Sequence, residues 1–225
     1  MSAPQGSDAW LASRRGRVTA SRMADVMAVT AKGEPSAKRA AYQRELLQER
    51  LTGLTVEHHV NAAMQWGTDH EPQARARYEI ETGADVVVPG FIVHPGIPMA
   101  GASPDGLIGA DGGVEFKCPT TGTHIDTLKA GAVPDERVWQ VQWCMACTGR
   151  RWWDWVSFDP RMPAPMQMLI LRVDRDEALI ARMEGEARSL IAAVEADAES
   201  LWARYGRANA FGEGAFTAAD FLRAG

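Results

Sequence analysis

A turn rich in Gly and Asp between two apolar segments constrains the fold of this chain more than any other feature. Leu107 and Ile108 precede the turn at residues 109–113, and residues 114–117 follow it. Two short apolar runs around a turn of this composition predict an antiparallel β-hairpin. Because side chains alternate along a strand, Glu115 and Lys117 should share one face, and Phe116 should point to the other.

The predicted hairpin would bring charged side chains together. Asp105 lies at the start of the first strand, so we expect it beside Glu115, where the two strands diverge. Two carboxylates would then converge with the ammonium of Lys117. Carboxylate oxygens favour Mg²⁺. Bound Mg²⁺ lowers the pKa of a water from ~15.7 and offsets the charge that develops on a phosphate. Lys117 could orient that water or donate to the scissile phosphate.

The same residues also have a purely structural interpretation. Asp-Gly is common in turns, Glu-x-Lys is common on exposed strands, and a lysine beside two acids can be a simple ion pair. Phe116 and Pro119 favour the catalytic interpretation, because apolar or rigid neighbours indicate a buried strand. Charges on a buried strand need partners or a metal.

Periodicity and capping residues elsewhere predict the fold class. Ser21 is a candidate N-cap of a short helix. We also predict helices at 36–53, about 61–82, about 134–148 and 176–203, and short strands at 86–88, 91–93, 152–158 and 168–173. This order indicates an α/β (α+β) fold with a central mixed β-sheet flanked by helices. We expect one domain over residues 1–225, with a helical region of about 1–60 and a core of about 61–205.

Charge is unevenly distributed along the chain. The net charge of −5 over 225 residues argues against a uniformly basic surface. Residues 1–50, however, carry nine Lys/Arg and five Asp/Glu, a local balance of +4. A basic N-terminal region on an acidic body fits a local phosphate-binding surface that contributes to DNA binding. Solvated helix faces would explain the charge alone equally well.

The three cysteines and the absence of a signal-like N-terminus predict reduced thiols in a cytoplasm. Cys144 and Cys147 lie in an apolar helical pattern without further ligands nearby in sequence, which favours core packing over a redox or metal role. His58, His59 and His124 lack metal-ligand spacing with the cysteines and are predicted to be surface or structural residues. No apolar run approaches ~18 residues, so we predict no membrane span.

Several segments resemble one family of nucleases. The pattern S-P-D-G-L at 103–107 followed by E-F-K-C-P at 115–119 looks like the PD-(D/E)XK nuclease motif. More narrowly, it resembles the phage lambda exonuclease or YqaJ-like viral recombinase group. Four further segments match motifs of that group in the same order: W-L-A-S-R-R-G-R-V-T-A-S from Trp10, W-G-T-D-H-E from Trp66, W-Q-V-Q from Trp139 and F-D-P-R-M from Phe158.

The resemblance implies a restriction-endonuclease-like core and a role for each residue of the hairpin. Asp105 and Glu115 would bind Mg²⁺ together with the backbone carbonyl of Phe116. Lys117 would position the attacking water. Mn²⁺ could substitute for Mg²⁺, and a second metal is expected. Related nucleases can carry a four-cysteine iron–sulfur cluster, which three cysteines cannot supply, so none is predicted.

Further residues receive roles by the same resemblance. Glu71 would face the site from its helix and help to hold the second metal through water. Gln140 would hydrogen-bond near Lys117 or the nucleophile. Arg14 and Ser21 would contact a phosphate, that of the 5′ end, and Lys32 is a candidate for a further basic contact.

The resemblance implies an activity and partners as well. The activity would be a 5′→3′ exodeoxyribonuclease that degrades one strand of double-stranded DNA to mononucleotides and leaves 3′ overhangs for recombination by strand annealing. A ring-shaped homotrimer, a single-strand annealing protein as partner and a phage or prophage gene in a bacterial host are expected. The alternatives are a restriction-like endonuclease and a non-catalytic module that binds DNA ends. The chain departs from the group at Arg137, where the group has Tyr three residues before Gln140.

Overall fold

The computed structural model describes residues 3–57 and 61–206 of the chain. The helices in these ranges are α1 (Asp8–Arg14), α2 (Met23–Val26), α3 (Ala37–Thr52), α4 (Ala62–Thr82), α5 (Thr121–Ala130), α6 (Asp135–Thr148) and α7 (Glu177–Tyr205). The strands are β1 (Val18–Thr19), β2 (Val86–Val87), β3 (Ile92–His94), β4 (Ile97–Ala102), β5 (Gly106–Ile108), β6 (Gly112–Lys117), β7 (Trp152–Phe158) and β8 (Met168–Asp174). Single 3-10 turns lie at Ala20–Arg22 and Ala164–Met166.

The two long N-terminal helices begin and end at the residues that the sequence predicts. The side chains of Ser36 and Asn61 accept hydrogen bonds from backbone N–H groups in the first turns of α3 and α4. Gly53 and Gly83 end these helices with φ of 65° and 70°. A side chain at such a φ would be strained, so glycine terminates both helices at little cost.

The prediction that Ser21 caps a helix is wrong. Strand β1 ends at Thr19, and the chain turns directly into the 3-10 turn that contains Ser21. The short helix α2 starts only after Arg22, which offers no side-chain cap. Ser21 therefore lies inside a turn with its side chain exposed, where its hydroxyl oxygen is 3.4 Å from that of Thr19.

The predicted hairpin forms the middle of a five-stranded mixed sheet in the order β2-β5-β6-β7-β8. Strands β5 and β6 are antiparallel, whereas β6 and β7 are parallel, with Glu115 opposite Trp155 and Lys117 opposite Ser157. Strand β6 opens with Gly112 because a Cβ there would overlap the ring of Trp152. Helices α5 and α6 connect the two parallel strands, as such a pair requires.

A second, three-stranded sheet has the order β1-β4-β3. Its central strand β4 is absent from the sequence predictions, because I-P-M-A-G-A shows no alternation of bulky residues. The small residues are needed here, since a Cβ at Gly101 would overlap the ring of Phe91. Helix α5 is also absent from those predictions.

Helix α6 lies in the larger of two hydrophobic cores, with every residue from Gln140 to Cys147 buried. Trp143 of α6, Trp153 of β7 and Met183 of α7 belong to this core. Cys144 and Cys147 pack here as free thiols, as predicted, and burial raises the pKa of both. Within the ranges described, no helix has the length and apolarity needed to cross a bilayer.

The smaller core fixes α4 against the main sheet. Ala74 and Tyr78 of α4 pack with Phe116 of β6 and Val156 of β7. The ring of Tyr78 meets that of Phe116 edge-on, with 5.7 Å between the ring centroids. A central mixed sheet with helices against it confirms the predicted fold class.

Candidate active site

The acids and the lysine predicted from the hairpin converge where β5 and β6 diverge. Asp105 immediately precedes β5, and its Oδ2 accepts a hydrogen bond of 2.8 Å from the backbone N–H of Phe116. Glu115 and Lys117 flank Phe116 in the strand. Their side chains therefore lie on the face of β6 opposite to that of Phe116. The Lys117 ammonium donates to Oε1 of Glu115 at 2.5 Å. Two carboxylates and an ammonium therefore occupy one end of the sheet.

Gln140 reaches this cluster from α6. Its amide nitrogen donates to the same Oε1 of Glu115 that accepts from Lys117. Glu115 is only 1% exposed, and its Oε2 has no hydrogen-bond partner among the described residues. Buried carboxylate oxygens are normally satisfied. Glu115 Oε2 is thus an acceptor that a water or a cation in the site would satisfy.

The electrostatics of the cluster favour an additional cation. Burial raises the pKa of the Asp105 carboxyl well above its usual range, and the negative charge of Glu115 raises it further. Burial disfavours the charged form of Lys117, but the charges of Glu115 and Asp105 outweigh this effect and raise the pKa of the amine. One ammonium cannot neutralise two buried carboxylates, so the pair would be stabilised in its ionised form by a second positive charge.

Glu71 faces the cluster from α4. Its Oε1 accepts a hydrogen bond of 3.0 Å from Arg75 on the same helix. Burial raises the pKa of Glu71, and the negative charge of Glu115 also raises it, whereas Arg75 and Lys117 lower it. Glu71 makes no hydrogen bond to Asp105, Glu115 or Lys117 in the structure, so the position of α4 alone sets its distance from them.

The C-terminal half of α4 is held by a polar network around the buried Asp154. The hydroxyl of Tyr78 donates to Oδ2 of Asp154 on β7 at 2.6 Å. Arg172 of β8 donates to both oxygens of Asp154, at 2.8 and 2.9 Å. Because hydrogen bonds to a charged group are stronger than neutral ones, this network anchors α4 to the sheet about two turns after Glu71.

The N-terminal half of α4 is held by two of the sequence motifs. Arg161 lies over the ring of Trp66, with 4.0 Å from its guanidinium carbon to the ring centroid. Arg161 also pairs with the fully buried Asp159 at 2.7 Å. The W-G-T-D-H-E and F-D-P-R-M motifs therefore contact each other, and Glu71 lies between the two anchors of α4.

The donor set at the hairpin end fits Mg²⁺. Asp105 and Glu115 supply carboxylate oxygens, one of them buried and without a partner, and Phe116 supplies a backbone carbonyl next to Glu115. Residues 3–57 and 61–206 contain no cluster of three or more His, Cys, Asp or Glu arranged to enclose a metal. Two carboxylates without a complete protein cage suit Mg²⁺, which usually retains several waters.

A cleft of about 980 Å³ opens beside α1 and α3, and both Arg14 and Ser21 line it. Arg14 donates to the hydroxyl of Ser103 at 2.8 Å and lies over the ring of Trp10 at 4.3 Å. The indole N–H of Trp10 donates to the same hydroxyl at 3.0 Å. Ser103 is only two residues before Asp105, so this segment links the cleft to the acid cluster.

Sequence reasoning missed Ser103. Its place directly before Pro104-Asp105, within the S-P-D-G-L motif, was the available signal. Lys32 does not line the cleft: it is exposed in the loop between α2 and α3. The positive charge of residues 1–50 is also partly structural, because the buried Arg39 pairs with Glu186 of α7 at 2.5 Å.

His124 has a structural role, as predicted. It is fully buried, with Nε2 donating to the carbonyl of Met166 at 2.8 Å and Nδ1 2.7 Å from the hydroxyl of Ser157. His58 and His59 lie outside the described residues.

Comparisons with known proteins identify the class. Two crystal structures of the alkaline exonuclease LHK-Exo from Laribacter hongkongensis, one in complex with dAMP, are 49% identical to this chain. They superpose with TM-scores of 0.83 and 0.82, over 88% of this chain and 97% of the other. A phage-related exonuclease from Haemophilus somnus has a TM-score of 0.66 over 82% of this chain and 96% of its own, at 13% identity, which shows the fold alone.

These likenesses define an exonuclease with a restriction-endonuclease-like fold, and the predictions of that fold and of an exodeoxyribonuclease are confirmed. Residues 9–151 match the YqaJ-like viral recombinase domain. The chain belongs to the YqaJ-like viral recombinase family, as its motifs predict, and is a recombination-related exonuclease. No curated protein sequence matches the chain significantly.

Proposed function

We propose that this chain is a Mg²⁺-dependent 5′→3′ exodeoxyribonuclease that digests one strand of duplex DNA from its ends and leaves 3′ overhangs. The observation that carries the proposal is the convergence of Asp105, Glu115 and Lys117 around a buried carboxylate oxygen without a partner. Such a group combines the oxygen ligands of a divalent cation with a cation of the protein that can contact a phosphate.

Asp105, Glu115 and the carbonyl of Phe116 would hold the metal, which when bound supplies an activated water and offsets negative charge on the phosphate. Lys117 would orient the attacking water, held in place by its hydrogen bond to Glu115. Gln140 would fix the rotamer of Glu115 by occupying Oε1, which leaves Oε2 for the metal. Glu71 would help to hold a second metal through water.

The cleft beside α1 would bind the 5′-phosphate of the DNA end. Arg14 and Ser21 line this cleft, and Arg14 is held by its hydrogen bond to the hydroxyl of Ser103. LHK-Exo has been crystallised with dAMP, a mononucleotide of the kind this reaction would release. Lys32 remains a candidate for an additional contact with DNA through the exposed loop that carries it.

Family membership supports four further proposals. The chain would assemble as a ring-shaped homotrimer, which would keep DNA threaded during successive cleavages. A single-strand annealing protein would receive the 3′ overhangs. The exonuclease and the annealing protein would act in the cytoplasm of a bacterial host. Mn²⁺ would be able to replace Mg²⁺ in the exonuclease.

Linear duplex DNA labelled at either the 5′ or the 3′ ends tests the proposal directly. With Mg²⁺, we expect rapid release of the 5′ label as a mononucleotide and late release of the 3′ label, and no release with EDTA. A covalently closed plasmid should remain intact. Nicking of the plasmid would identify an endonuclease instead, and binding of ends without any release would identify a non-catalytic module.

The Arg14→Ala variant tests recognition of the end. The wild type should degrade 5′-phosphorylated duplex about tenfold faster than duplex with 5′-hydroxyl ends, because a charge-assisted hydrogen bond contributes about 1.5–3 kcal/mol. The variant should degrade both substrates at the same, lower rate. Lys38→Ala, an exposed change on α3, should keep the wild-type preference. Equal wild-type rates on the two substrates would refute the assignment.

A further inference from the structure

Arg137 is a cation near Lys117 of the acid cluster, and the described part of the chain offers no hydrogen-bond acceptor to its guanidinium. It precedes Gln140 by three residues on α6, so the two side chains lie on the same face of the helix. None of the described residues accepts a hydrogen bond from its guanidinium. Its one ion pair in the described ranges is a loose contact with Glu136, at 3.8 Å, and 40% of its side chain is exposed.

The stability of the fold does not account for a cation at this place. Arg137 lies in the first turn of α6, where the positive end of the helix dipole favours acids such as Asp135 and Glu136 and disfavours cations. Arg137 also lies close enough to Lys117 for the two positive charges to repel each other. An anion bound near both side chains would remove this repulsion.

We propose that Arg137 binds a backbone phosphate of the strand being hydrolysed, adjacent to the scissile phosphate. This inference rests on the proposed function. The planar guanidinium presents five N–H donors and can hold two oxygens of one phosphate at once. Because such a contact reads no base, Arg137 would add affinity equally for all sequences and hold the strand in register with the active site.

Salt dependence of binding tests this contact. Binding of 5′-phosphorylated duplex is measured by fluorescence anisotropy in EDTA, from about 50 to 200 mM KCl, the range in which phosphate contacts dominate the salt response. Arg137→Gln should bind about tenfold more weakly, and the slope of log K against log[KCl] should become shallower by about 0.9, the value for one phosphate. Arg137→Lys keeps the charge and should retain the wild-type slope.

Arg151→Gln is the matched control. Arg151 is an equally charged side chain, 73% exposed, at the opposite end of the β6–β7 pair from Lys117. The affinity of Arg151→Gln for duplex DNA should match that of the wild type within twofold, and the slope of log K against log[KCl] should be unchanged. The inference would be overturned if the wild type degraded duplex DNA and Arg137→Gln had the wild-type affinity and salt slope. The proposed function would then still stand. A wild type that neither binds nor degrades duplex DNA would overturn both.

Discussion

Replacement of Lys117 by alanine should lower the rate of nucleotide release by about 1000-fold, the order expected when a group that positions water and stabilises charge is removed. The side chain is the only ammonium hydrogen-bonded to Glu115 in the described chain, and 28% of it is exposed to solvent. Single-turnover digestion of labelled duplex measures the effect on the chemical step.

Binding of DNA ends should persist in Lys117→Ala, because the proposed end-binding residues Arg14 and Ser21 line a separate cleft. Lys129→Ala provides the matched control, since Lys129 is exposed in the last turn of α5 and should be replaceable without loss of rate. A Lys117→Ala variant that retains more than a tenth of the wild-type rate would contradict the assigned role.

Replacement of Asp105 by asparagine should abolish activity and at the same time stabilise the folded protein in the absence of metal. Burial disfavours the ionised form of Asp105, and repulsion by the buried carboxylate of Glu115 disfavours it further, so the pKa of Asp105 is raised. Asparagine removes one charge, and its side-chain oxygen can still accept from the N–H of Phe116. We expect a gain of about 1 kcal/mol, which shifts Tm by about 2–4 °C in a chain of this length.

Thermal unfolding with and without Mg²⁺ distinguishes this explanation from a simple change in packing. Mg²⁺ should raise the Tm of the wild type, since a ligand that binds only the folded state stabilises it, and should not raise that of Asp105→Asn. Asp111→Asn, in the exposed hairpin turn, should behave as the wild type in activity and metal response. A lower Tm for Asp105→Asn in EDTA would show that charge repulsion is not the dominant effect.

The sequence predicts the centre of the site well because the relevant signals are local. The turn at 109–113 and the alternation along residues 114–117 are short-range features, and together they predict that Asp105, Glu115 and Lys117 converge. The capping residues Ser36 and Asn61 likewise mark their helices through hydrogen bonds to the next turn. Such features need no knowledge of the rest of the fold.

The features that the sequence did not predict depend on contacts between distant residues. Ser103 meets Arg14 across 89 positions, and Tyr78 meets Asp154 across 76. Strand β4 has small residues that show no strand pattern in the sequence. Its neighbours in the fold, such as Phe91 over Gly101, explain why those residues are small. Helix α5 contains three threonines and a glycine, which have low helix propensity, so its stability comes from packing of residues such as His124.

The burial of every thiol in the chain makes it suitable for site-specific labelling. Cys118, Cys144 and Cys147 are the only cysteines, and all three are buried. Burial raises the pKa of Cys118 to about 12, and it also raises the pKa of Cys144 and Cys147. Alkylating reagents act on thiolates, so the native protein should stay unmodified. A single cysteine introduced at Asp111, just before β6 and roughly 20 Å from Lys117 along the strand direction, could then carry a fluorophore that follows individual molecules along DNA.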